Sequence, residues 1–438
     1  MEGNLTFVHR RFLHRTEWLL MIILFIMIGG FFTWSENVGI TRILKVASRM
    51  LMVVAVFAVQ WSILKRGAIA SFGWKNKGAI LLYAAYLLLG LVSLLWSTNP
   101  GYSALQWVMD AQSLVFAFFF IQCFILLDTY FQGNQIRFYS VTGNAIFLMI
   151  LIFVAGMFIA PDQFYRMTHG GEEARLGGYF MNPNELGMLC ALGVSCLLFD
   201  LYHNTNKVWT IIKVLVLVYA LVMTGSRSST IGLLLIFFFH IKRSNNRKLK
   251  TAMYIGALLA VPVAVEKIMI KEGGGGLDEV MSMTGRLPFW EALLTEGLPQ
   301  EPLFGFGFMR IAYKDYFQGV HTYAGQMTHN TFIQVLMNLG FAGFTIVLFQ
   351  MIFTIRGFNR TVNTETKLMY YGMMIPLLIN SFTEFGIFGE TNYGILFYQL
   401  IIMHVSRSGY ALLTPKETKM LHIRRALVRK ESVVGMRG

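Results

Sequence analysis

The stretch GNAIFLMILIFVAGMFIA at residues 143–160 contains no charged side chain and is long enough to cross a lipid bilayer as one helix. Similar apolar blocks recur along the whole chain. We predict twelve spans, at 18–34, 46–63, 79–96, 113–130, 143–160, 185–202, 208–224, 230–241, 251–270, 331–355, 368–388 and 391–406. A β-barrel would show shorter segments in which apolar and polar residues alternate. The pattern therefore predicts an all-α, polytopic membrane protein with about 12 transmembrane helices.

The composition agrees with a lipid-facing surface. Of the 438 residues, 55% are hydrophobic and 14% are charged, whereas soluble domains carry about 25% charged residues. The net charge of +14 would suggest nucleic acid binding in a soluble protein. Here the basic residues lie in short loops and in the C-terminal tail, which is typical of membrane topology. We therefore expect membrane lipids as surroundings and no nucleic acid as a ligand.

The distribution of Lys and Arg predicts the orientation. The N-terminal stretch is basic, every second loop after it is basic, and the intervening loops are poorer in charge. Both termini are therefore expected in the cytoplasm. The predicted organisation is helices 1–9 over 1–270, a large extracytoplasmic loop over 271–330, helices 10–12 over 331–408 and a basic cytoplasmic tail over 409–438. The large loop is expected to hold short helices at 289–296 and 310–317.

Four basic or titratable residues fall on the outer side, where basic residues are least expected. They are Arg175, Arg227 in the turn 225–229, Arg286 in the large loop, and His329 at the start of span ten. Taken singly, each has an ordinary explanation, such as pairing with a nearby carboxylate, snorkelling to headgroups or capping a helix. Together they favour a diphosphate site, because arginine binds phosphate bidentately and histidine handles protons near neutral pH.

Three further polar residues near the outer helix ends are candidates for the same site. Asn184 opens span six, Asn330 follows His329, and Glu384 lies in the apolar span eleven. An acidic side chain inside an apolar span should face a cavity or a cation, and the arginines above are the candidate cations. Helix capping and packing are the alternative roles of these residues.

Several familiar motifs are missing from the sequence. It contains no Walker loop, no dinucleotide fingerprint, no His/Cys metal cluster and no serine elbow. An Asp-x-Asp motif is also absent from the outer loops, so a metal-dependent glycosyl transfer there is not supported. We therefore expect neither a metal nor an organic cofactor.

Five motifs occur in order between residues 175 and 345. They are RLGGYFMNPNELG, LVMTGSRSSTIGLLL, TGRLPFWEALL, PLFGFGF and THNTFIQVLMNLGFAGF. Together with the topology they resemble the O-antigen ligase and O-antigen polymerase superfamily, which includes exopolysaccharide polymerases. The resemblance implies a GT-C-like helical fold and an undecaprenyl-diphosphate-linked oligosaccharide as donor. It also implies action at the outer face of the bacterial inner membrane, without a metal.

The same resemblance assigns roles to residues. The arginine of the Ser-Arg turn corresponds to Arg227, the arginine of the large loop to Arg286, and the histidine of the His-Asn motif to His329. Arg175 matches an arginine upstream of the Pro-Asn motif. On this basis Arg227, Arg286 and His329 are the predicted catalytic residues.

The predicted activity is inverting, metal-independent transfer of a lipid-linked glycan to a glycan acceptor. A polymerase is favoured, with a chain-length regulator and a flippase as candidate partner proteins. The alternative is a ligase that uses lipid A-core or another acceptor, such as a protein side chain. A sugar or lipid transporter is the alternative from a different class. Transporters, however, place ionisable residues near the bilayer midplane on broken or repeated helices.

Overall fold

The computed structural model describes residues 7–66, 68, 73–130, 137–168, 173–203, 206–243, 286–308, 328–384 and 386–407, with several positions between 247 and 258 and between 419 and 423. Its longer helices are α1 (Phe7–Gly29), α2 (Val38–Lys65), α3 (Lys77–Val92), α4 (Pro100–Tyr130), α5 (Phe138–Ile159), α7 (Pro183–His203), α8 (Lys207–Met223), α9 (Arg227–Arg243), α11 (Thr331–Arg360), α12 (Thr364–Thr383) and α13 (Tyr393–Arg407). Two short helices are α6 (Pro161–Phe164) and α10 (Arg286–Ala292). Two strands are β1 (Tyr165–Thr168) and β2 (Glu173–Leu176).

Seven helices in the described part of the chain are long and apolar enough to cross a membrane. They run over Arg11–Gly29, Val38–Lys65, Lys77–Leu95, Pro100–Asp128, Phe138–Ile159, Pro183–Tyr202 and Thr331–Arg360. This finding confirms a predominantly helical, polytopic membrane protein. The predicted number of twelve spans and the GT-C-like arrangement are not confirmed and stay predictions.

The other five predicted spans have different outcomes. Four of them coincide with helices, but α8, α9 and α13 have only 17, 17 and 15 residues, which is short for a full crossing. The helix α12 has 20 residues but begins with the polar sequence TETK. The predicted span 251–270 lies almost entirely outside the described residues.

Asparagine side chains start several of the helices. Asn37 accepts hydrogen bonds from the backbone N–H groups of Gly39 and Ile40 at the start of α2. Asn206, Asn330 and Asn363 cap α8, α11 and α12 in the same way. These caps satisfy backbone donors that have no intrahelical acceptor. They fix where each helix begins, and one of them lies beside the candidate site.

The helix α7 forms the centre of the bundle. In its apolar window 89% of the residues are buried, against 28% in α2. It packs against α5, α8, α9 and α12, while α2 packs against α1 and α4 at the periphery. The N-terminal end of α7 follows directly on β2 and the turn after it. The central helix therefore begins beside the segment that carries Arg175.

The helix α11 is broken at Gly340, which the sequence did not predict. Gly340 has φ 59° and ψ −162°, a conformation that is essentially restricted to glycine. The segment PLFGFGF at 302–308 fits into the break. The N–H groups of Phe306 and Gly307 donate to the carbonyls of Met337 and Asn338, at 3.0 and 2.8 Å. These bonds satisfy backbone groups that the broken helix leaves unpaired, as a membrane protein requires.

Replacing Gly340 with alanine should destabilise the protein. The positive φ costs about 1–3 kcal/mol for a residue with a side chain, and the added Cβ would collide with the backbone of Leu303. We expect a lower melting temperature in detergent. Gly232→Ala is the matched control, because a Cβ there would meet only the Cα of Pro376 at 3.9 Å, an ordinary contact. Equal melting temperatures of the two variants would contradict the proposed role of the break.

The outer connections contain structure that the all-α prediction omitted. β1 and β2 form an antiparallel hairpin in which Arg166 lies opposite Arg175. In the large loop, a helix was predicted at 289–296, but α10 begins at Arg286 and is followed by a π-turn over Leu293–Gly297. The helix starts early because Pro288 falls in its first turn, where a missing N–H costs nothing. The predicted helix 310–317 lies outside the described residues.

Candidate active site

The carboxylate of Glu384 is the centre of a cluster of side chains from four parts of the chain. Its Oε1 atom accepts hydrogen bonds from Asn184 Nδ2 at 2.7 Å and from Arg286 Nη2 at 2.8 Å. Its Oε2 atom lies 2.7 Å from His329 Nδ1. The Glu384 side chain is only 3% exposed. The cluster therefore joins the beginnings of α7, α10 and α11 to the end of α12.

Glu384 does not lie inside a helix, as the sequence interpretation had it. The helix α12 ends at Thr383, and Glu384 is the capping residue with an extended backbone. Its N–H donates to the carbonyl of Asn380 at 2.7 Å, which closes the last turn. The carboxylate consequently leaves the helix axis and points to the side chains of Arg286 and His329.

Arg286 is fixed at the first residue of α10. Besides the ion pair with Glu384, its Nη1 atom donates to the carbonyl of Thr383. One guanidinium thus contacts two consecutive residues at the end of α12. Its side chain is 14% exposed, so part of the group can still reach a ligand.

His329 has a strained backbone. Its φ is 51°, and it is the non-glycine residue with positive φ in the described part of the chain. Such a conformation is uncommon outside glycine and persists where surrounding structure enforces it. Asn330 provides the enforcement, because its Oδ1 caps α11 while its Nδ2 donates to the carbonyl of Phe382 at 3.4 Å. These contacts favour a positioning role for Asn330 over the predicted direct contact with substrate.

Arg175 reaches the cluster through Asn184. Its Nη2 atom donates to Asn184 Oδ1 at 2.6 Å, and its Nε atom donates to the carbonyl of Thr224 at 2.7 Å. The two ends of the Asn184 amide therefore connect Arg175 to Glu384. The ordinary explanation for Arg175 is a pairing with a nearby carboxylate, for which the sequence offers Glu172 and Glu173. The hydrogen bonds above instead direct its guanidinium toward α7 and α8.

Arg227 is the first residue of α9, whereas the sequence placed it within a turn over 225–229. The turn is shorter because Ser226 caps the helix, with its Oγ accepting from the N–H of Ser229 at 3.3 Å. Ser229 Oγ in turn donates to the carbonyl of Asn184 at 3.2 Å. The helix start that carries Arg227 is therefore tied to the residue that bridges Arg175 and Glu384.

The cluster contains more positive than negative groups. Two guanidinium groups, of Arg175 and Arg286, stand against the carboxylate of Glu384. Burial alone would raise the pKa of Glu384, but the charge and hydrogen bond of His329, followed by those of Arg286, lower the pKa to about 2. Glu384 is therefore ionised at neutral pH. The remaining positive charge suits a multivalent anion such as a diphosphate.

Replacing Asn184 with alanine should lower the transfer rate by about tenfold or more. The change removes two hydrogen bonds to charged groups, each of which contributes about 1.5–3 kcal/mol. Asn144→Ala is a matched control, because Asn144 also bonds a cation, Lys213, at 2.6 Å between α5 and α8. Initial rates with a lipid-linked donor would test this. Equal losses in the two variants would contradict a specific role of Asn184.

A family model described as O-Antigen ligase matches residues 212–348. This match confirms the predicted resemblance to the O-antigen ligase and polymerase superfamily, and it supports a ligase- or polymerase-like glycosyl transfer with a lipid-linked glycan as substrate. No curated protein matches the chain. The matched segment contains Arg227, Arg286 and His329. Arg175, Asn184 and Glu384 lie outside it, yet the structure joins them to Arg286 and His329.

Two features of the site had no clear signal in the sequence. The carbonyls of Thr224 and Thr383 hold Arg175 and Arg286, but backbone acceptors cannot be recognised by residue type. Trp290 is an aromatic residue of α10, a residue type that can stack on a sugar ring. Its indole N–H donates to the carbonyl of Thr328 at 2.6 Å, so it fixes the residue before His329.

Proposed function

We propose that the protein polymerises undecaprenyl-diphosphate-linked oligosaccharides into a surface polysaccharide. The observation that supports this most is the double contact of Glu384 with Arg286 and His329. A guanidinium can bind a diphosphate and an imidazole can accept a proton, and both contact this one carboxylate. Glycan transfer from a lipid diphosphate needs both groups near the reacting anomeric carbon.

The proposed reaction is a single displacement with inversion. A hydroxyl oxygen of the acceptor sugar attacks the anomeric carbon of the donor, and the bond from that carbon to the phosphate oxygen breaks. The electron pair leaves with the lipid diphosphate, and the hydroxyl proton passes to His329. Arg286 and Arg227 stabilise the charge that grows on the leaving diphosphate. Two arginines can supply this stabilisation, which is why we propose a metal-independent reaction.

Glu384 determines which nitrogen of His329 takes the proton. A hydrogen bond from Nδ1–H to Oε2 of Glu384 leaves the lone pair on Nε2. This arrangement corresponds to the carboxylate–histidine pairs of hydrolases, in which the carboxylate fixes the tautomer and stabilises the imidazolium. We accordingly assign Glu384, predicted as a substrate-binding residue, to positioning. Arg175 and Asn184 are assigned to the diphosphate or the adjacent sugar.

A ligase that transfers the glycan to lipid A-core is the second candidate. The matching family model is described as O-Antigen ligase, which favours this activity. The proposed chemistry at the donor is the same in both cases. The two activities differ only in the molecule that supplies the attacking hydroxyl.

We further propose that the protein works in the bacterial inner membrane with both termini in the cytoplasm. The alternating distribution of Lys and Arg supports this orientation. It would put the large loop 271–330, and with it Arg286, on the extracytoplasmic side. A chain-length regulator and a flippase remain candidate partner proteins for the polymerase reading.

Purified protein with a labelled lipid-linked oligosaccharide tests the proposal. A second lipid-linked oligosaccharide is supplied in one arm and lipid A-core in the other. Longer lipid-linked chains in the first arm support a polymerase, and labelled lipid A-core in the second arm supports a ligase. Transfer to neither acceptor would overturn the proposed function. The variant His329→Ala identifies product that does not depend on the site.

A further inference from the structure

A polar cavity of about 350 Å³ lies at the first turns of α2 and α4, and none of its lining residues belongs to the Glu384 cluster. Its walls come from the α1–α2 connection, the first turns of α2 and α4, the segment after β2, and the connection between α12 and α13. Cavities of this size can hold a small ligand or one part of a larger one. The reaction proposed above assigns no role to it.

Two short segments of chain connect the cavity to the cluster. Tyr179, which lines the cavity, follows Arg175 by four residues, and Glu390 follows Glu384 by six. An extended chain spans at most about 3.6 Å per residue, so the Cα atoms of Glu384 and Glu390 are within ~22 Å of each other. A glycan of a few sugar residues can therefore reach from the cavity to His329.

Basic side chains follow one face of α2 into the cavity. Arg42 and Lys45 line it, and Arg49 lies one turn further along the same face. Arg49 is fully buried, and its Nη1 and Nη2 atoms have no hydrogen-bond acceptor among the described residues. Its guanidinium lies 4.6 Å from the ring centroid of Phe31, a residue of the cavity wall. A buried cation without such an acceptor is costly and is typical of a functional site.

Three carboxylates lie in or near the cavity: Glu36 and Glu390 belong to its wall, and Asp110 lies on α4. Glu390 Oε1 accepts from the Tyr102 hydroxyl at 2.6 Å. Asp110, on the neighbouring helix α4, accepts from the hydroxyl of Tyr83 at 3.2 Å and from Gln399 at 2.5 Å. Neither Glu390 nor Asp110 accepts a hydrogen bond from the Nη atoms of Arg49, although the charge of Asp110 interacts with that of Arg49. The cations on α2 are therefore the groups of this cavity that can bind an anion.

The outer surface of α2 beside these cations is apolar. Ile40, Ile43 and Leu44 are 49%, 70% and 42% exposed, in the same turns as Arg42 and Lys45. Cations next to an exposed aliphatic surface at a helix end suit a ligand that has an anionic head and a hydrocarbon tail. Tyr102 and Gln106 add a ring and an amide for a sugar attached to that head.

We propose that this cavity binds the phosphate-bearing, membrane-anchored end of the acceptor, while the Glu384 cluster acts on the donor. This inference rests on the proposed function. The phosphate can come from a second lipid diphosphate, as in a polymerase, or from phosphorylated lipid A-core, as in a ligase. In either case the attacking hydroxyl lies a few sugars away from the phosphate and reaches His329.

Binding stoichiometry tests the cavity without turnover. Undecaprenyl diphosphate without sugars is titrated onto the purified full-length protein in detergent, with phosphorylated lipid A-core in a parallel arm. In the polymerase case the wild type binds two equivalents of the lipid diphosphate. The double variant Arg42→Gln/Lys45→Gln then loses one equivalent, and Arg286→Gln loses the other. In the ligase case the double variant loses lipid A-core binding instead.

The double variant Arg356→Gln/Arg360→Gln is the matched control. It removes the same charge from exposed residues at the end of α11 that lies farthest along the helix from His329, and Arg356 also lies over an aromatic ring, that of Phe353. Its binding should equal that of the wild type. If Arg42→Gln/Lys45→Gln binds both lipids like the control, the proposal is wrong.

Kinetics separate this inference from the proposed function. In Arg42→Gln/Lys45→Gln the KM for the phosphorylated acceptor should rise about tenfold or more, because charge-assisted hydrogen bonds are lost. The KM for the donor, and transfer to the same acceptor glycan without its phosphate, should change less than about twofold. A rise in the donor KM alone would assign the cavity to the donor. Absence of transfer by the wild type would overturn the function, whereas the binding titration would still decide the cavity.

Discussion

Replacing His329 with alanine should lower the rate of glycan transfer by about 10²–10⁴-fold, which is the usual contribution of a general base. The reason is that Nε2 of His329 is the proposed acceptor of the hydroxyl proton, with Nδ1 held by Glu384 at 2.7 Å. Binding of the lipid-linked donor should change little, because Arg286 and Arg175 are retained. Single-turnover rates and donor affinity are the two measurements.

A second variant is needed because His329 has a positive φ. Alanine is disfavoured at φ 51°, so a loss in His329→Ala alone could reflect a misplaced start of α11. Asparagine tolerates this conformation better than other residues but cannot accept the proton. His329→Asn should therefore melt at a higher temperature than His329→Ala and lose activity as strongly. Near-normal glycan transfer by a folded His329→Asn variant would contradict the proposed role of His329 as proton acceptor.

Replacing Glu384 with glutamine should have an effect of comparable size. The amide keeps the shape of the side chain but has only one oxygen. If that oxygen accepts the hydrogen bond from Arg286, the amide nitrogen faces His329 and cannot accept a hydrogen bond from Nδ1–H. The imidazole would then lose the tautomer that leaves Nε2 unprotonated. A similar carboxylate-to-amide change in serine proteases lowers the rate about 10⁴-fold. We expect kcat to fall by about 10²–10⁴-fold, measured at saturating donor and acceptor.

Glu365→Gln is the matched control for Glu384→Gln. Both residues belong to the two ends of α12, and Glu365 also accepts a side-chain hydrogen bond, from the Tyr139 hydroxyl at 2.7 Å. Glu365→Gln should leave kcat within about twofold of the wild type. If the two variants lost the same activity, the effect would come from α12 as a whole and not from the cluster.

We also expect Glu384 to make the stability of the folded protein depend on pH. The pKa of Glu384 is lowered from 4.5 to about 2 in the folded protein, so its ionised form stabilises the fold above pH 4.5. This contribution is lost as the pH falls from 4.5 through 2. The melting temperature of the wild type in detergent should therefore fall as the pH is lowered from 4.5 to 2. The melting temperature of Glu384→Gln should lack the part of this decrease that comes from protonation of Glu384.

The sequence predicted the membrane architecture because hydrophobic length is a local property. A run such as 143–160 must become a helix in lipid, since every backbone polar group has to be bonded within its own segment. The charge pattern also indicated the candidate site residues, because Arg175, Arg286 and His329 stand out against a charge-poor side. The family motifs around them were readable for the same reason.

The sequence did not predict the breaks in these helices. Gly340 interrupts α11, and α12 ends before Glu384, although both apolar patterns continue beyond these points. Each break is stabilised by a distant segment, PLFGFGF at 302–308 in the first case and Arg286 in the second. A hydropathy pattern contains no information on such non-local contacts.

The sequence by itself determined that this chain lies in a membrane, which residues are its candidate catalytic cations, and which superfamily it resembles. Only the tertiary structure decided that Glu384 is the residue around which Arg286, His329 and Asn184 assemble. It also brought Arg42 and Lys45 of α2 into one cavity with Glu390. The physical reason is that hydrophobic length and charge bias act along the chain, whereas a carboxylate selects its hydrogen-bond donors from whichever helix ends the packing brings within 3 Å.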